Sequence, residues 1–285
     1  MVVTVPDMTG FDTRTVLVTG ATGNVGRPLV DSLLAAGHRV RALTRDPSRA
    51  ALPAGVEVIA GNLSDTAGLA RAFDGADAAH LITFGEGYAP LTNGDEIAAL
   101  ALKSGVTKVS VLKGDVTRSP LEEAIEASGL RWTFLSPVEF MSNTLEWAES
   151  VRTESTIRAG FATARSAMIH DGDIAETAAV VLTRDGHDGR EYWLTGPEVL
   201  TPPDQARIIG EALGREIRFV ELSRDEVVAH WRAEGFGAED IEFFLAMRTD
   251  PPEAGYTVLP TVEEVTGRPA RTYRTWVTEN LAAFS

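Results

Sequence analysis

The sequence predicts an α/β protein with a doubly wound parallel sheet and a smaller, mixed α+β C-terminal portion. Three observations predict it. A β-branched run, Thr15-Val16-Leu17-Val18, leads straight into glycines spaced three apart at Gly20, Gly23 and Gly26. Strand-like runs then alternate with helical stretches as far as residue 135, the pattern of βαβ units joined by right-handed crossovers. Beyond about residue 146 the elements become short and mixed, which suits a lid or substrate portion rather than more sheet. The main domain is expected over 14–145, with 168–190 returning to it, and the smaller portion over 146–167 and 191–285.

The first unit carries the most chemistry. Behind the glycines, Val25, Leu29, Leu33 and Leu34 recur at helical spacing until Gly37 stops the pattern. Strand, tight turn and helix in that order make a dinucleotide-binding Rossmann unit. Gly20 permits the sharp turn, Gly23 lets backbone N–H groups approach a pyrophosphate, and Gly26 lets the helix pack against the strand. Pro28 falls in the first helical turn, where its missing N–H costs little.

The later elements follow in order. Residues up to about 13 read as a loose leader. Arg39–Thr44 is the second strand and Val56–Ala60 the third. Ser64 is placed to cap a short helix through Leu69, Ala72 and Phe73. Ala78–Thr83 and Val106–Leu112 are strands four and five, separated by a helix from Asp95 to Ser104 that Gly105 ends. A helix from Pro120 to Ser128, closed by Gly129, precedes strand six at Trp132–Leu135. In the second half, Glu146–Arg158 reads as a polar helix, Ala164–Ile169 as an extended piece and Asp171–Leu182 as an apolar-rich helix. Tyr192–Pro197 is a strand and turn. Pro203–Leu213, Arg224–Glu234, Ala238–Met247 and Thr261–Val265 are helical. In such sheets ligands lie beyond the carboxyl ends of the strands.

Composition narrows the function. The net charge of −15, from 26 basic and 41 acidic residues, argues against nucleic acid and anionic membranes as partners. Cysteine is absent, which excludes thiol catalysis, disulfides and cysteine-ligated metals. No apolar run reaches the ~20 residues of a membrane span. The first residues lack a basic region and an apolar core, so no secretory signal is expected and a cytoplasmic protein is.

Enzymes that use NAD usually end strand two with a carboxylate for the ribose hydroxyls. Thr44 and Arg45 stand there instead. An arginine suits a 2′-phosphate through its charge and planar donors, which favours NADP(H); Asp46 next door keeps NAD(H) open.

Thr19-Gly20-Ala21-Thr22-Gly23-Asn24-Val25-Gly26 resembles the phosphate loop of atypical short-chain dehydrogenases of the NmrA-like family. Thr44-Arg45-Asp46-Pro47, Gly61-Asn62-Leu63, and Ser128-Gly129-Leu130 leading to Pro137–Asn143 agree with it. So do His170–Ala175 and Leu194-Thr195-Gly196-Pro197-Glu198, and the likeness spans roughly residues 14–222. The resemblance implies that Gly20, Thr22, Gly23, Asn24, Val25 and Gly26 hold the pyrophosphate and that Arg45 meets the 2′-phosphate. It places Asn62 and Leu63 at the adenine, Thr83 and Phe84 beside the ribose, and Pro137, Val138 and Phe140 near the nicotinamide. For Leu63 and Phe84, plain core packing is the competing reading.

The departures matter as much. Ordinary short-chain dehydrogenases use a tyrosine with a lysine four residues later as proton donor. Here Tyr88, Tyr192, Tyr256 and Tyr273 are followed at that spacing by Thr92, Gly196, Pro260 and Val277, none a lysine. The three lysines are Lys103, Lys108 and Lys113. Lys113 ends strand five where relatives carry a serine, so it is a candidate to bind the cofactor or act as an acid; the alternative is a solvated loop charge. Glu139, just after strand six, is a candidate for touching substrate or for capping the next helix.

Two functions are compatible with a missing acid. One is an NADPH-dependent oxidoreductase that passes hydride to an activated small molecule, such as a quinone or conjugated carbonyl, whose product anion water can protonate. The other is a non-catalytic NADP(H) sensor acting through a protein partner. The five histidines form no metal pattern, and in His170-Asp171-Gly172-Asp173 the aspartates are expected to cap a helix rather than bind metal. No G-x-S-x-G elbow exists. Glu122, Glu123 and Glu126 read as a solvated helix face. Phe236, Phe243, Phe244 and Trp147 read as core, with a lid as the alternative.

Overall fold

The protein is seen here in a computed structural model that describes residues 13–85 and 89–285. The leader and Tyr88 lie outside the described residues. The elements, in order, are β1 (Thr15–Val18), α1 (Gly26–Ala35), β2 (Arg39–Thr44), β3 (Glu57–Ala60), α2 (Ala70–Phe73), β4 (Ala78–Ile82), α3 (Gly94–Lys103), β5 (Lys108–Leu112), α4 (Pro120–Ala127) and β6 (Arg131–Pro137). They continue with α5 (Ala148–Glu154), β7 (Thr156–Gly160), α6 (Asp171–Thr183), β8 (Arg190–Leu194), α7 (Pro202–Leu213) and β9 (Arg218–Leu222). The chain closes with α8 (Arg224–Ala233), α9 (Ala238–Thr249), α10 (Thr261–Thr266), α11 (Tyr273–Glu279) and α12 (Leu281–Phe284).

Seven strands form one sheet in the order β3-β2-β1-β4-β5-β6-β8. β1 pairs in parallel with β2 and β4, β2 with β3, and β4 with β5, so their carboxyl ends share one edge. The order reverses direction between β1 and β4, the switch point at which doubly wound sheets bind ligands. The expected fold class is therefore the observed one.

The chain divides into two compact units: residues 1–134 with 178–190, and residues 135–177 with 191–285. The first is built on a core of Leu17, Leu43, Leu81, Val109 and Phe134, with Ile97, Leu121 and Ile125 supplied by α3 and α4. Alternation explains it: on β4, Ala79 and Leu81 enter this core while His80 points to the other face. The helices of this unit have legible ends. On α1, Leu29, Val30 and Leu33 form the buried stripe, and Gly37 turns the chain with φ +82°. At α4, Ser119 and Glu122 make a reciprocal capping box with Pro120 behind it.

The second unit centres on Met141, Ile157, Ile209, Tyr273, Trp276 and Phe284. Here the sequence reading needs three corrections. The polar helix expected over 146–158 ends at Glu154; Ser155 adopts φ +48°, and Thr156–Gly160 is a strand paired in parallel with β9. The β-branched pair Thr156-Ile157 has the strand propensity that the charged flanks concealed. Ala164–Ile169 makes only single bridges, Ser166 with Leu200 and Ile169 with Phe140. β9, α11 and α12 were not anticipated, because short elements stabilised by distant packing carry little local signal.

Candidate cofactor-binding site

The glycine turn is built by contacts that leave no room for side chains. Gly20 has φ +60°, and its carbonyl accepts the Gly23 N–H at 2.9 Å. A Cβ on Gly26 would lie 2.1 Å from that same oxygen and 2.7 Å from Ala21 Cα. α1 therefore starts pressed against the turn. Its N-cap, Val25, makes no side-chain cap, and its first turn holds no acidic residue. α4, α7 and α8 each begin with a serine or threonine capping box instead. A helix start stripped of its own caps, fronted by the exposed Gly23 and Asn24, fits an anionic diphosphate.

The turn is anchored from below. Thr19 donates through both its backbone N–H and its hydroxyl to the His80 carbonyl, at 3.0 and 2.9 Å. His80 Nδ1 meets Ser110 Oγ at 2.8 Å on β5. Burial lowers the His80 pKa to about 4, so this imidazole is neutral at pH 7.

Each loop beyond the first unit's strands is then fixed by a particular side chain. After β2, Arg45 and Asp46 are both exposed, and the Asp46 carboxylate accepts the Ser48 N–H at 3.0 Å and caps a 3₁₀ turn, Pro47–Arg49. After β3, Asn62 Oδ1 accepts the Ser64 N–H at 3.0 Å; Ser64 is not the helix cap expected of it, because Asp65 precedes the 3₁₀ turn at Thr66–Gly68 and Leu69 precedes α2. Leu63 is buried in the core, and its carbonyl accepts from Asn93 Nδ2 at 3.0 Å. After β4, Thr83 is buried and its hydroxyl accepts the Gly114 N–H at 3.1 Å. The Phe84 ring lies so close to Gly114 that a Cβ there would meet it at 2.7 Å.

Lys113 and Glu122 correct the sequence reading. Lys113 is no solvated loop charge: its ammonium lies 3.2 Å from Glu122 Oε1, with side-chain exposures of 4% and 1%. Glu122 thus leaves the solvated acidic face assigned to it. Its other oxygen accepts from the Ser119 N–H and hydroxyl, at 3.0 and 2.7 Å. One carboxylate caps α4 and receives Lys113. Arg118 Nη1 stands 3.9 Å from it. Nothing local flags this pairing, since the two residues belong to a strand end and a helix start.

Pro137, Val138, Glu139 and Phe140 belong to the second unit. The Val138 N–H donates to the Leu194 carbonyl, and Phe140 bridges to Ile169. Glu139 does not cap the following turn; its carboxylate pairs with Arg248 of α9 at 2.7 Å. That proximity is the main cause raising the Arg248 pKa.

His170, Asp171 and Asp173 have separate duties. His170 Nδ1 accepts the Gly172 N–H at 2.9 Å, so the histidine rather than the aspartates caps this helix start, and its Nε2–H faces Glu279 at 3.0 Å. Asp171 accepts from the Ser142 hydroxyl at 2.6 Å. Asp173 is buried against Arg271. No group of metal-ligating side chains occurs among the described residues. Trp147 is core, while Phe244 contacts Trp231, Phe236 and Phe243 in a half-buried aromatic cluster. Tyr273 is wholly buried, and burial raises its hydroxyl pKa well above the usual range.

Residues 12–114, from the leader through β5, match the model of the NmrA-like family. Over 284 residues the chain is 38% identical to (4-alkanoyl-5-oxo-2,5-dihydrofuran-3-yl)methyl phosphate reductase of Streptomyces griseus, covering 95% of this chain and 99% of that one. The chain belongs to the NmrA-like family. NAD(P)H azoreductase of Xenophilus azovorans, 31% identical over 291 residues, covers 94% of this chain and is itself covered to 99%. The fold matches an NADPH-dependent quinone oxidoreductase from Escherichia coli, solved with NADPH, at a TM-score of 0.77 and 22% identity, over 93% of this chain and 99% of that one. The matched segment contains the glycine turn described above, and the sequence reading had not singled out Arg27, which bonds the Thr22 carbonyl inside that turn, or Asn93, which bonds the Leu63 carbonyl after β3.

Proposed function

We propose that this protein is an NADPH-dependent reductase that delivers hydride to a small conjugated electrophile, such as a quinone or an unsaturated carbonyl compound, without a tyrosine acid. The chain is an NAD(P)H-dependent oxidoreductase of its family, and the two relatives above 30% identity over nearly its whole length are reductases. The observation that carries the reading is the glycine-built, uncapped start of α1, which suits a dinucleotide diphosphate.

Gly20, Thr22, Gly23, Asn24, Val25 and Gly26 would hold that diphosphate, and the nicotinamide supplies a hydride when bound. Arg45 is assigned to the 2′-phosphate. Asp46 supports this to the extent that one oxygen of its carboxylate is committed to Ser48. Asn62 keeps its amide N–H donors for the adenine, with Leu63 behind it, and Thr83 and Phe84 flank the ribose. Lys113, fixed by Glu122, is assigned a cofactor-side positioning role. Pro137, Val138 and Phe140 are assigned to the nicotinamide and Glu139, oriented by Arg248, to the substrate.

The acceptor class follows from what the chain lacks. Tyr273 is buried in a core, and the other described tyrosines, Tyr192 and Tyr256, have no lysine four residues on. Hydride added to a conjugated acceptor leaves an enolate or phenolate, which takes its proton from water. The protein then needs positioning more than general-acid strength. The substrate named for the Streptomyces griseus relative, an acylated unsaturated lactone, is of this class. The test is NADPH oxidation against a panel of quinones, acylated unsaturated lactones and isolated ketones. Turnover of the conjugated compounds alone is expected; equal turnover of isolated ketones, or none at all despite tight NADPH binding, overturns the reading.

A further inference from the structure

The residue that joins the glycine turn to the loop after β2 is Arg27, the first residue beyond the last glycine. Its guanidinium reaches three backbone carbonyls at once. Nε donates to Thr22 O at 3.0 Å, inside the turn. Nη1 donates to Ala51 O at 3.0 Å and Nη2 to Ala50 O at 2.9 Å, beyond the 3₁₀ turn that follows Arg45 and Asp46. The two segments are more than twenty positions apart in sequence.

The contact determines where the β2 loop sits. Ala50 is buried and ends the 3₁₀ turn, and Ala51 adopts φ +45°, a left-handed conformation unfavourable for a residue with a Cβ. The Arg27 fork holds the carbonyls on either side of that strained link. Asp46 closes the other end of the same turn by capping Ser48, one residue beyond the exposed Arg45. All three acceptors of Arg27 are neutral, so the bonds leave its positive charge in place. Of five guanidinium N–H groups, they use three.

We propose that Arg27 is a specificity-determining residue for the 2′-phosphorylated cofactor. It braces the β2 loop so that Arg45 is presented, and it adds a second positive charge between the diphosphate turn and that loop. The inference rests on the NADPH reading of the previous section. Lysine cannot replace it, because a single ammonium cannot span three divergent carbonyls at these distances.

Calorimetric titration with two fragments, 2′,5′-ADP and 5′-ADP, tests this without turnover. Wild-type protein is expected to bind 2′,5′-ADP more tightly. Loss of that difference in the wild type would mean that the NADPH preference itself is wrong. In Arg27→Gln, 2′,5′-ADP affinity is expected to fall about tenfold or more, as for one charge-assisted contact, while 5′-ADP affinity changes less than about threefold. Arg27→Lys, which keeps the charge and loses the fork, is expected to fall between. Steady-state NADPH:NADH ratios of kcat/KM are expected to shift in parallel, through KM. Equal weakening of both fragments by Arg27→Gln, with the wild-type preference intact, would make Arg27 a general brace of the turn and overturn the specificity role. Should Arg27→Gln fold poorly, Arg27→Lys decides alone: an unchanged fragment ratio refutes the brace.

Discussion

Glu122 reaches from the first turn of α4 to the ammonium of Lys113 at 3.2 Å, and both side chains are almost wholly withdrawn from solvent. The same carboxylate caps its own helix through Ser119. The loop between β5 and α4 is therefore fastened at both ends by one acidic group.

Breaking that pair from one side strands a buried charge. Glu122→Leu is expected to cost about 3–5 kcal/mol, including the lost cap. Lys113→Met in the same chain is expected to restore a large part of the loss. Urea unfolding of the single and double variants measures both. A Lys113→Met single variant with unchanged stability, cofactor affinity and rate would remove the positioning role assigned to this residue.

Gly26 is the least replaceable position of the glycine turn. A Cβ 2.1 Å from the Gly20 carbonyl forces α1 away from β1. Gly26→Ala is expected to destabilise by about 3 kcal/mol, in the range of severe overpacking, and to weaken NADPH binding at least tenfold. Thermal unfolding and fluorescence titration of bound NADPH give the two quantities. Near-normal values for both would mean that the close approach of helix and turn is unnecessary.

His80 is expected to make the first unit acid-sensitive. Its pKa is about 4 in the folded protein against an ordinary 6.5. Between those values the unfolded chain carries the proton and the folded chain does not. The contribution to stability is complete above about pH 6.5, declines as pH falls, and is spent near pH 4, a total of about 3 kcal/mol. Unfolding measured between pH 4 and 7 should show that slope, and His80→Gln should flatten it. An equally steep profile in the variant would assign the acid sensitivity elsewhere.

Asp173 holds the C-terminal helices of the second unit. Its carboxylate accepts from the Arg271 N–H at 2.7 Å and also pairs with the Arg271 guanidinium. Asp173→Asn is expected to cost about 3 kcal/mol and to raise amide exchange selectively in α11 and α12. Exchange rising uniformly through the chain would refute a local fastening.

The first unit was legible because its signals are local. Thr15–Val18 declares a strand by β-branching, and the glycines at 20, 23 and 26 declare the turn by what they lack. Leu29 and Leu33 declare the helix by their period. The second unit was less legible. β7 and β9 define each other by pairing across some sixty positions, from Thr156 with Arg218 to Gly160 with Leu222, and neither is marked strongly alone.

The sequence by itself determined the family, the parallel sheet, the glycine turn and the absence of a tyrosine–lysine pair. Each depends on residue type at short spacing, where steric freedom and periodicity act directly. Only tertiary structure decided that Lys113 is buried against Glu122, that Glu139 answers to Arg248, and that Arg27 braces two distant loops. Charges find partners through space, and the energy of a pair depends on distance and burial that no local pattern encodes.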